Sequence, residues 1–234
     1  MSDARSRQLE PSKLGTKEYW DKVYSREVSN HQTDETDEGT VWFSESGAEE
    51  AISKLLSNVQ VLKRESARFL DLGTGNGHLL FFLREDKDED GGWKGEMIGV
   101  DYSEQSIQLA GQIAEQRGKS SVLFERWDLL QDEPRQEWME GFDVVLDKGT
   151  FDAISLMASG ATHPCERYRE RVVPLIKSGG FLCITSCNWT KEELLTWLAP
   201  ADKCLIFHAE AKYPTFSFGG MTGQSIVTLL LEKL

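Results

Sequence analysis

The chain is short of positive charge: 26 Lys and Arg stand against 39 Asp and Glu, a formal net charge of −13. That balance excludes an electrostatic grip on nucleic-acid phosphates, which requires clustered cations. No apolar run approaches the roughly 18–20 residues of a membrane span, and the opening MSDARSRQLEPSKLG lacks the apolar stretch of a secretory signal. The four cysteines, Cys165, Cys183, Cys187 and Cys204, form no CxxC pair. The four histidines, His31, His78, His163 and His208, fall in no HxxxH spacing. A disulfide framework and a zinc site are both disfavoured, and no metal is expected. These absences point to a protein of a reducing compartment, expected in the cytoplasm, with neither nucleic acid nor membrane as a partner.

What is present suits one α/β domain. The 234 residues are 39% hydrophobic before the 20 glycines are counted, enough to bury a core and too apolar for general disorder. Residues 1–15 read as a flexible tail and 16–234 as a single domain. Thr16 stands where a helix N-cap belongs, and KEYWDKVYSRE (17–27) reads as a short helix. VSNHQTDETDEGT (28–40) reads as an acidic loop. Ser46 and Glu49 have capping-box spacing before AISKLLSNVQVL (51–62), an amphipathic helix. From residue 68 short apolar runs, RFLDL, MIGVD, VLFER, FDVVLD and GFLCITSC, alternate with helical patterns. Such alternation predicts a parallel sheet wrapped by helices. Near the end CLIFHAE and SIVTLLLEKL follow one another without a helix between them, so they must run antiparallel. EDKDEDGGWKG (85–95) reads as a solvated charged insertion, including Asp86, Asp88, Glu89 and Asp90.

The chemistry centres on Asp71-Leu72-Gly73-Thr74-Gly75-Asn76-Gly77, placed between a strand and a helix. Glycines there permit a tight turn and close approach of backbone to a ligand. The next strand ends at Asp101, where nucleotide folds place the acid that binds ribose hydroxyls. The third strand is followed by Asp128 and Leu129, placed to meet an adenine. A dinucleotide would require GxGxxG, and Asp71 would repel its diphosphate. S-adenosylmethionine (SAM), which carries an ammonium and a sulfonium, favours a carboxylate there, so Asp71, Gly73, Gly75, Asp101, Asp128 and Leu129 are assigned to SAM. The expected fold is the seven-stranded, Rossmann-like SAM-methyltransferase sheet with an antiparallel C-terminal hairpin.

On the acceptor side, DKGTFDA (147–153) follows the fourth strand, where open α/β sheets bind ligands. Asp147 and Asp152 are the expected catalytic carboxylates. The alternative is structural, with Asp147 capping a turn and Asp152 favoured by a helix dipole. Cys183 and Cys187, four apart in a strand pattern, read as core, and Thr190 with Glu193 reads as a capping box. Asn188 and Trp189 fit an acceptor channel or a loop anchor equally well.

LGTKEYWDKVY (14–24), VWF (41–43), DKGTFDAISL (147–156), ITSCNWTKEEL (184–194) and FSFGG (216–220) resemble the eukaryotic elongation factor 1-alpha lysine methyltransferases. The likeness runs from about residue 14 to the C-terminus. It implies SAM-dependent methylation of a lysine on that translation factor. It also implies cofactor contacts from Trp20, Tyr24, Trp42, Gly73, Asp101, Tyr102, Asp128 and Lys148. Trp20 and Tyr24, at i and i+4, share a helix face, and aromatic faces suit a sulfonium; the alternative for Trp20 is simple packing of that helix on the sheet edge. A monomer is expected. Two other readings remain: a small-molecule methyltransferase on the same fold, and a SAM-binding interaction protein without activity.

Overall fold

The computed structural model describes residues 9–85, 91–118, 121–201, 203–214, 216–218 and 221–234. Helices α1 (Lys17–Thr33) and α2 (Ala48–Ser57) precede strand β1 (Phe69–Leu72). Alternation follows: α3 (His78–Glu85), β2 (Met97–Asp101), α4 (Glu104–Gln116), β3 (Val122–Arg126) and β4 (Phe142–Lys148). Then come α5 (Thr150–Ser155), α6 (Pro164–Val172), β5 (Ile176–Ser186) and α7 (Lys191–Leu198). The chain closes with β6 (Leu205–Glu210), β7 (Phe216–Phe218), β8 (Met221–Gly223) and β9 (Val227–Lys233).

Seven strands form one sheet in the order β3-β2-β1-β4-β5-β9-β6. The first five are parallel, and β9 lies antiparallel between β5 and β6. This is the expected α/β sheet with its antiparallel end. β7 and β8 pair separately as a small antiparallel hairpin within the final connection. Alternate strand residues serve opposite layers. Leu70, Leu72, Val145, Leu182 and Ile184 join one apolar cluster, while Phe69, Val144, Leu146, Phe181 and Cys183 join the other. That period-two partition between two covered faces explains why the strands read as unbroken apolar runs.

Several local expectations change. α1 continues to Thr33, six residues past its expected end, because Tyr24, Glu27, Val28 and His31 form one buried stripe. The polar look of VSNHQT hides that stripe. Ser46 and Glu49 form no capping box: α2 starts at Ala48 behind Gly47, in left-handed conformation, and Glu49 instead meets His78 Nδ1 at 2.6 Å. Thr190 and Glu193 do form theirs. Cys183 is buried, but Cys187 lies one residue past β5 and is exposed, so only the first belongs to the core. Of the charged insertion, Asp86, Asp88, Glu89 and Asp90 lie outside the described residues. Its Trp93 is buried, with its ring 5.1 Å from Phe69 and under the Arg64 guanidinium. The described part of the expected N-terminal tail is anchored. Ser12 N donates to the Leu156 carbonyl at 3.1 Å, and a Cβ on Gly15 would lie 2.2 Å from that oxygen.

Candidate active site

One cavity runs along the carboxyl ends of the parallel strands. Asp128 and Leu129 after β3, Asp101 and Tyr102 at β2, Gly73 after β1, Lys148 at the end of β4 and Asn188 after β5 all line it. Neighbouring strands lie about 4.8 Å apart, so the cavity is ordered by the sheet: β3 and β2 at one end, β1 and β4 in the middle, β5 at the other.

The β1 turn is built for close approach. Gly73 has φ +62°, and a Cβ there would sit 2.1 Å from Thr150 Oγ1, itself bonded to the Leu72 carbonyl at 2.7 Å. Asp101 is buried, accepting from Gly75 N at 3.2 Å and Ser103 N at 2.9 Å. Burial pushes its carboxyl above the ordinary range against the pull of those bonds. Asp128 accepts from Leu130 N at 3.0 Å, which holds the β3 loop against the cavity. Asp71 and Gly75 do not line the cavity. Asp71 accepts from Thr74 Oγ1 at 2.7 Å, and burial raises its carboxyl to about 7 despite that bond. Gly75 gives room to the Tyr24 hydroxyl, which would lie 2.7 Å from a Cβ.

Aromatic side chains close the donor end. Trp20 and Tyr24 stack with centroids 6.2 Å apart, and Trp42 meets Trp20 edge-on at 5.3 Å. All three line the cavity, with Trp20 Nε1 donating to the Leu14 carbonyl at 2.7 Å. The segment carrying Trp42 is tied down at several points. Glu38 pairs with Arg117, its carbonyl accepts from Asn76 Nδ2 at 2.9 Å, and Thr40 N donates to Glu27 at 3.1 Å. Lys148 Nζ donates to the Trp42 carbonyl at 3.0 Å and lies 3.5 Å from Glu49. Leu14, Gly15 and Phe43, whose φ is +62°, complete this wall. Segments 14–24 and 41–43 carry these positions, of which spacing alone pairs only Trp20 with Tyr24, on one helix face.

The two acceptor-side aspartates separate. Asp147 does not line the cavity. Its buried carboxylate accepts from Thr150 N at 2.9 Å, Phe151 N at 3.0 Å and Tyr168 Oη at 2.7 Å, which is the work of a cap for α5. Burial, opposed by the Tyr168 bond, holds its carboxyl at about 7. Asp152 lines the cavity, yet both its oxygens face the β5 turn: one accepts from the Ser186 hydroxyl, the other from Cys187 N at 2.8 Å. Burial raises its carboxyl above the ordinary range, against those two bonds. Ser186 Oγ in turn accepts from Asn188 N and Trp189 N, each at 3.2 Å. Trp189 is core, 6.3 Å from Phe151 and 6.0 Å from Trp197, whereas Asn188 lines the cavity.

Residues 63–229 match a family described as a methyltransferase domain. Protein-lysine N-methyltransferase EFM4 of Saccharomyces cerevisiae is 39% identical, over 96% of each chain. Human EEF1A lysine methyltransferase 2 is 39% identical, over 96% of this chain and 88% of its own. Among solved structures, the [4+2]-cyclase SpnF superposes with a TM-score of 0.64 at 15% identity over 97% of this chain and 99% of that one. A magnesium protoporphyrin IX methyltransferase from Synechocystis with bound SAM gives 0.57 at 14%, over 91% and 97%. These structures share the fold, and the cyclase illustrates that fold alone does not fix a reaction.

SAM is the cofactor, and the residues present fit it. Gly73 brings backbone to the cavity wall at a position where a Cβ would strike Thr150, the carboxyl-bearing Asp101 and Asp128 line one end, and aromatic faces suit a sulfonium. Lys148 lines the cavity at the β4 end and supplies its positive charge there. Among the described residues no group of three or more His, Cys, Asp or Glu could hold a metal. None of their helices is long and apolar enough to cross a membrane.

Proposed function

The chain belongs to the protein-lysine methyltransferase family that contains these yeast and human enzymes, and from that premise we propose that it methylates a lysine of translation elongation factor 1-alpha. The observation that carries the substrate is 39% identity, over 96% of this chain, to the human enzyme named for EEF1A; the yeast relative's name supports protein lysine as the acceptor class. The net charge of −13 supports recruitment of a lysine on a basic partner, a steering effect that salt should weaken. Four free cysteines support a cytoplasmic site of action.

Bound in this cavity, SAM supplies an activated methyl group on a sulfonium. The protein's task is the amine. A lysine has a reference pKa of about 10.4, so presenting it neutral at pH 7 costs roughly 4–5 kcal/mol. The site must align the nitrogen, exclude water and avoid stabilising the ammonium. Trp20, Tyr24 and Trp42 support exclusion of water at the donor end. Asp101, Tyr102, Asp128, Leu129, Gly73 and Lys148 support cofactor placement. Asp71 and Gly75 act one step back, by shaping the turn. Asp152 supports the acceptor end through the β5 turn that it holds. Asp147 contributes by starting α5 and thereby placing Asp152.

Mass spectrometry of purified elongation factor 1-alpha incubated with the protein and SAM tests the reading. Addition of methyl to a lysine is expected, and an unmodified translation factor under conditions where other lysate proteins are labelled would redirect the substrate. A small-molecule acceptor would appear as label in a protein-free extract.

A further inference from the structure

The residues assigned to adenosine, Asp101, Tyr102, Asp128 and Leu129, stand at the β3 and β2 ends and Lys148 stands at β4, so a cofactor laid along this order leaves the β5 end for the acceptor. Three polar side chains stand on the wall there: Asp152, Cys187 and Asn188. The Asp152 carboxylate is committed to Ser186 and Cys187 N. Asn188 differs. Its backbone is fixed by Ser186 Oγ, and the next residues are anchored by buried Trp189 and the capping box of α7. Its side-chain Oδ1 receives the Cys187 thiol at 3.6 Å, and among the described residues Nδ2 donates to no protein group. The geometry therefore points to Asn188 as the residue that receives the acceptor amine, its side-chain carbonyl accepting an N–H of the lysine and aiming the nitrogen lone pair along the cavity.

This deepens the lysine-methyltransferase reading and rests on it. A carbonyl oxygen has two lone pairs, so Oδ1 can accept from the thiol and the amine together. Burial, then the Asp152 charge, raises the Cys187 thiol to about 12. The protonated thiol lies between the Asp152 carboxylate and Oδ1, which leaves Oδ1 a lone pair for the amine. An amide N–H toward the lysine would occupy the lone pair that must react. The neutral character of Asn188 matters equally. A carboxylate within about 4–6 Å favours the ammonium by 1–3 pKa units, whereas a carbonyl orients the amine with no such charge. After the ammonium has given a proton to solvent, the nitrogen lone pair forms the new N–C bond as the C–S bond breaks toward sulfur. The extra proton on the product nitrogen then leaves to solvent.

Three variants of the whole protein test the assignment on full-length elongation factor 1-alpha, with S-adenosylhomocysteine affinity read by calorimetry. Asn188→Ala should lower kcat at least tenfold at every pH between 7 and 9.5, with affinity for the nucleoside within twofold of wild type. Asn188→Asp should also be slow at pH 7 but should recover as pH rises, its rising limb displaced upward by about one unit. Asn188→Gln should restore part of the Ala loss. Wild-type kcat in Asn188→Ala, or an Asp variant whose defect does not change with pH, would reduce Asn188 to a turn residue and overturn the inference. If Asn188→Ala does not fold, Asn188→Asp against Asn188→Gln carries the same pH comparison. Failure of wild type to methylate the translation factor would instead overturn the substrate reading.

Discussion

The two ends of the cavity are built by different means. At the donor end the acidic and glycine positions that line the cavity come from the strand ends themselves. Asp101 closes β2, Gly73 follows β1, and their neighbours in sequence are their neighbours in space. At the acceptor end two carboxylates are spent on backbone. Asp147 receives Thr150 N, Phe151 N and Tyr168 Oη, and Asp152 receives Ser186 and Cys187 N. Acids hold backbone at both ends, Asp101 accepting from Gly75 N and Ser103 N and Asp128 from Leu130 N, but at the acceptor end they also take the hydroxyls of Tyr168 and Ser186. At the acceptor end that engagement matters, because a carboxylate free to meet the lysine would favour its ammonium form.

The sharpest break should come at the donor end. Gly73→Ala puts a methyl 2.1 Å from Thr150 Oγ1 at a φ of +62°. S-adenosylhomocysteine affinity should fall at least a hundredfold by calorimetry, and unchanged affinity in a folded protein would remove the turn from the site. Asp152→Asn comes next. The amide keeps the shape but turns an N–H toward either Ser186 or Cys187 N, a loss of about 1–3 kcal/mol in the clamp. Turnover on elongation factor 1-alpha should drop roughly tenfold or more. A smaller effect is expected of Trp20→Ala, which removes the contact with Trp42 and the bond to Leu14. Nucleoside affinity should weaken several-fold, about 1 kcal/mol. Equal loss of methylation at saturating SAM would place Trp20 at the acceptor end instead.

The smallest effect on function falls to Asp147→Asn, and its signature is in stability. Burial lifts the Asp147 carboxyl to about 7 against its hydrogen bonds. The folded state therefore binds a proton more tightly than the unfolded state. This group's contribution is fullest below pH 4 and is lost as pH rises to about 7, by at most about 4 kcal/mol. Denaturant unfolding at pH 5 and pH 8 should show a smaller loss in Asp147→Asn than in wild type. An identical slope would mean that Asp147 keeps an ordinary carboxylate pKa.

The same difference governs what could be read in advance. Strand alternation, the β1 turn and the antiparallel end are local or period-two signals, and they were legible. So was the face shared by Trp20 and Tyr24. Asp147 and Asp152 were legible as strand-end acids, but not the donors they meet. Ser186 lies 34 residues from Asp152 and Tyr168 lies 21 from Asp147, and no spacing rule spans such a loop. Trp93 looked solvated because its neighbours are charged, while its partners Phe69 and Arg64 stand earlier in the chain. α1 ran long because Glu27 and His31, polar by type, are buried by position.

The division of labour is tested most directly by the SAM dependence of single-turnover methylation of elongation factor 1-alpha by Asp152→Asn. The account predicts a plateau rate at least tenfold below wild type, reached at the same half-saturating SAM concentration. A wild-type plateau reached only at higher SAM would place Asp152 in cofactor binding and contradict it.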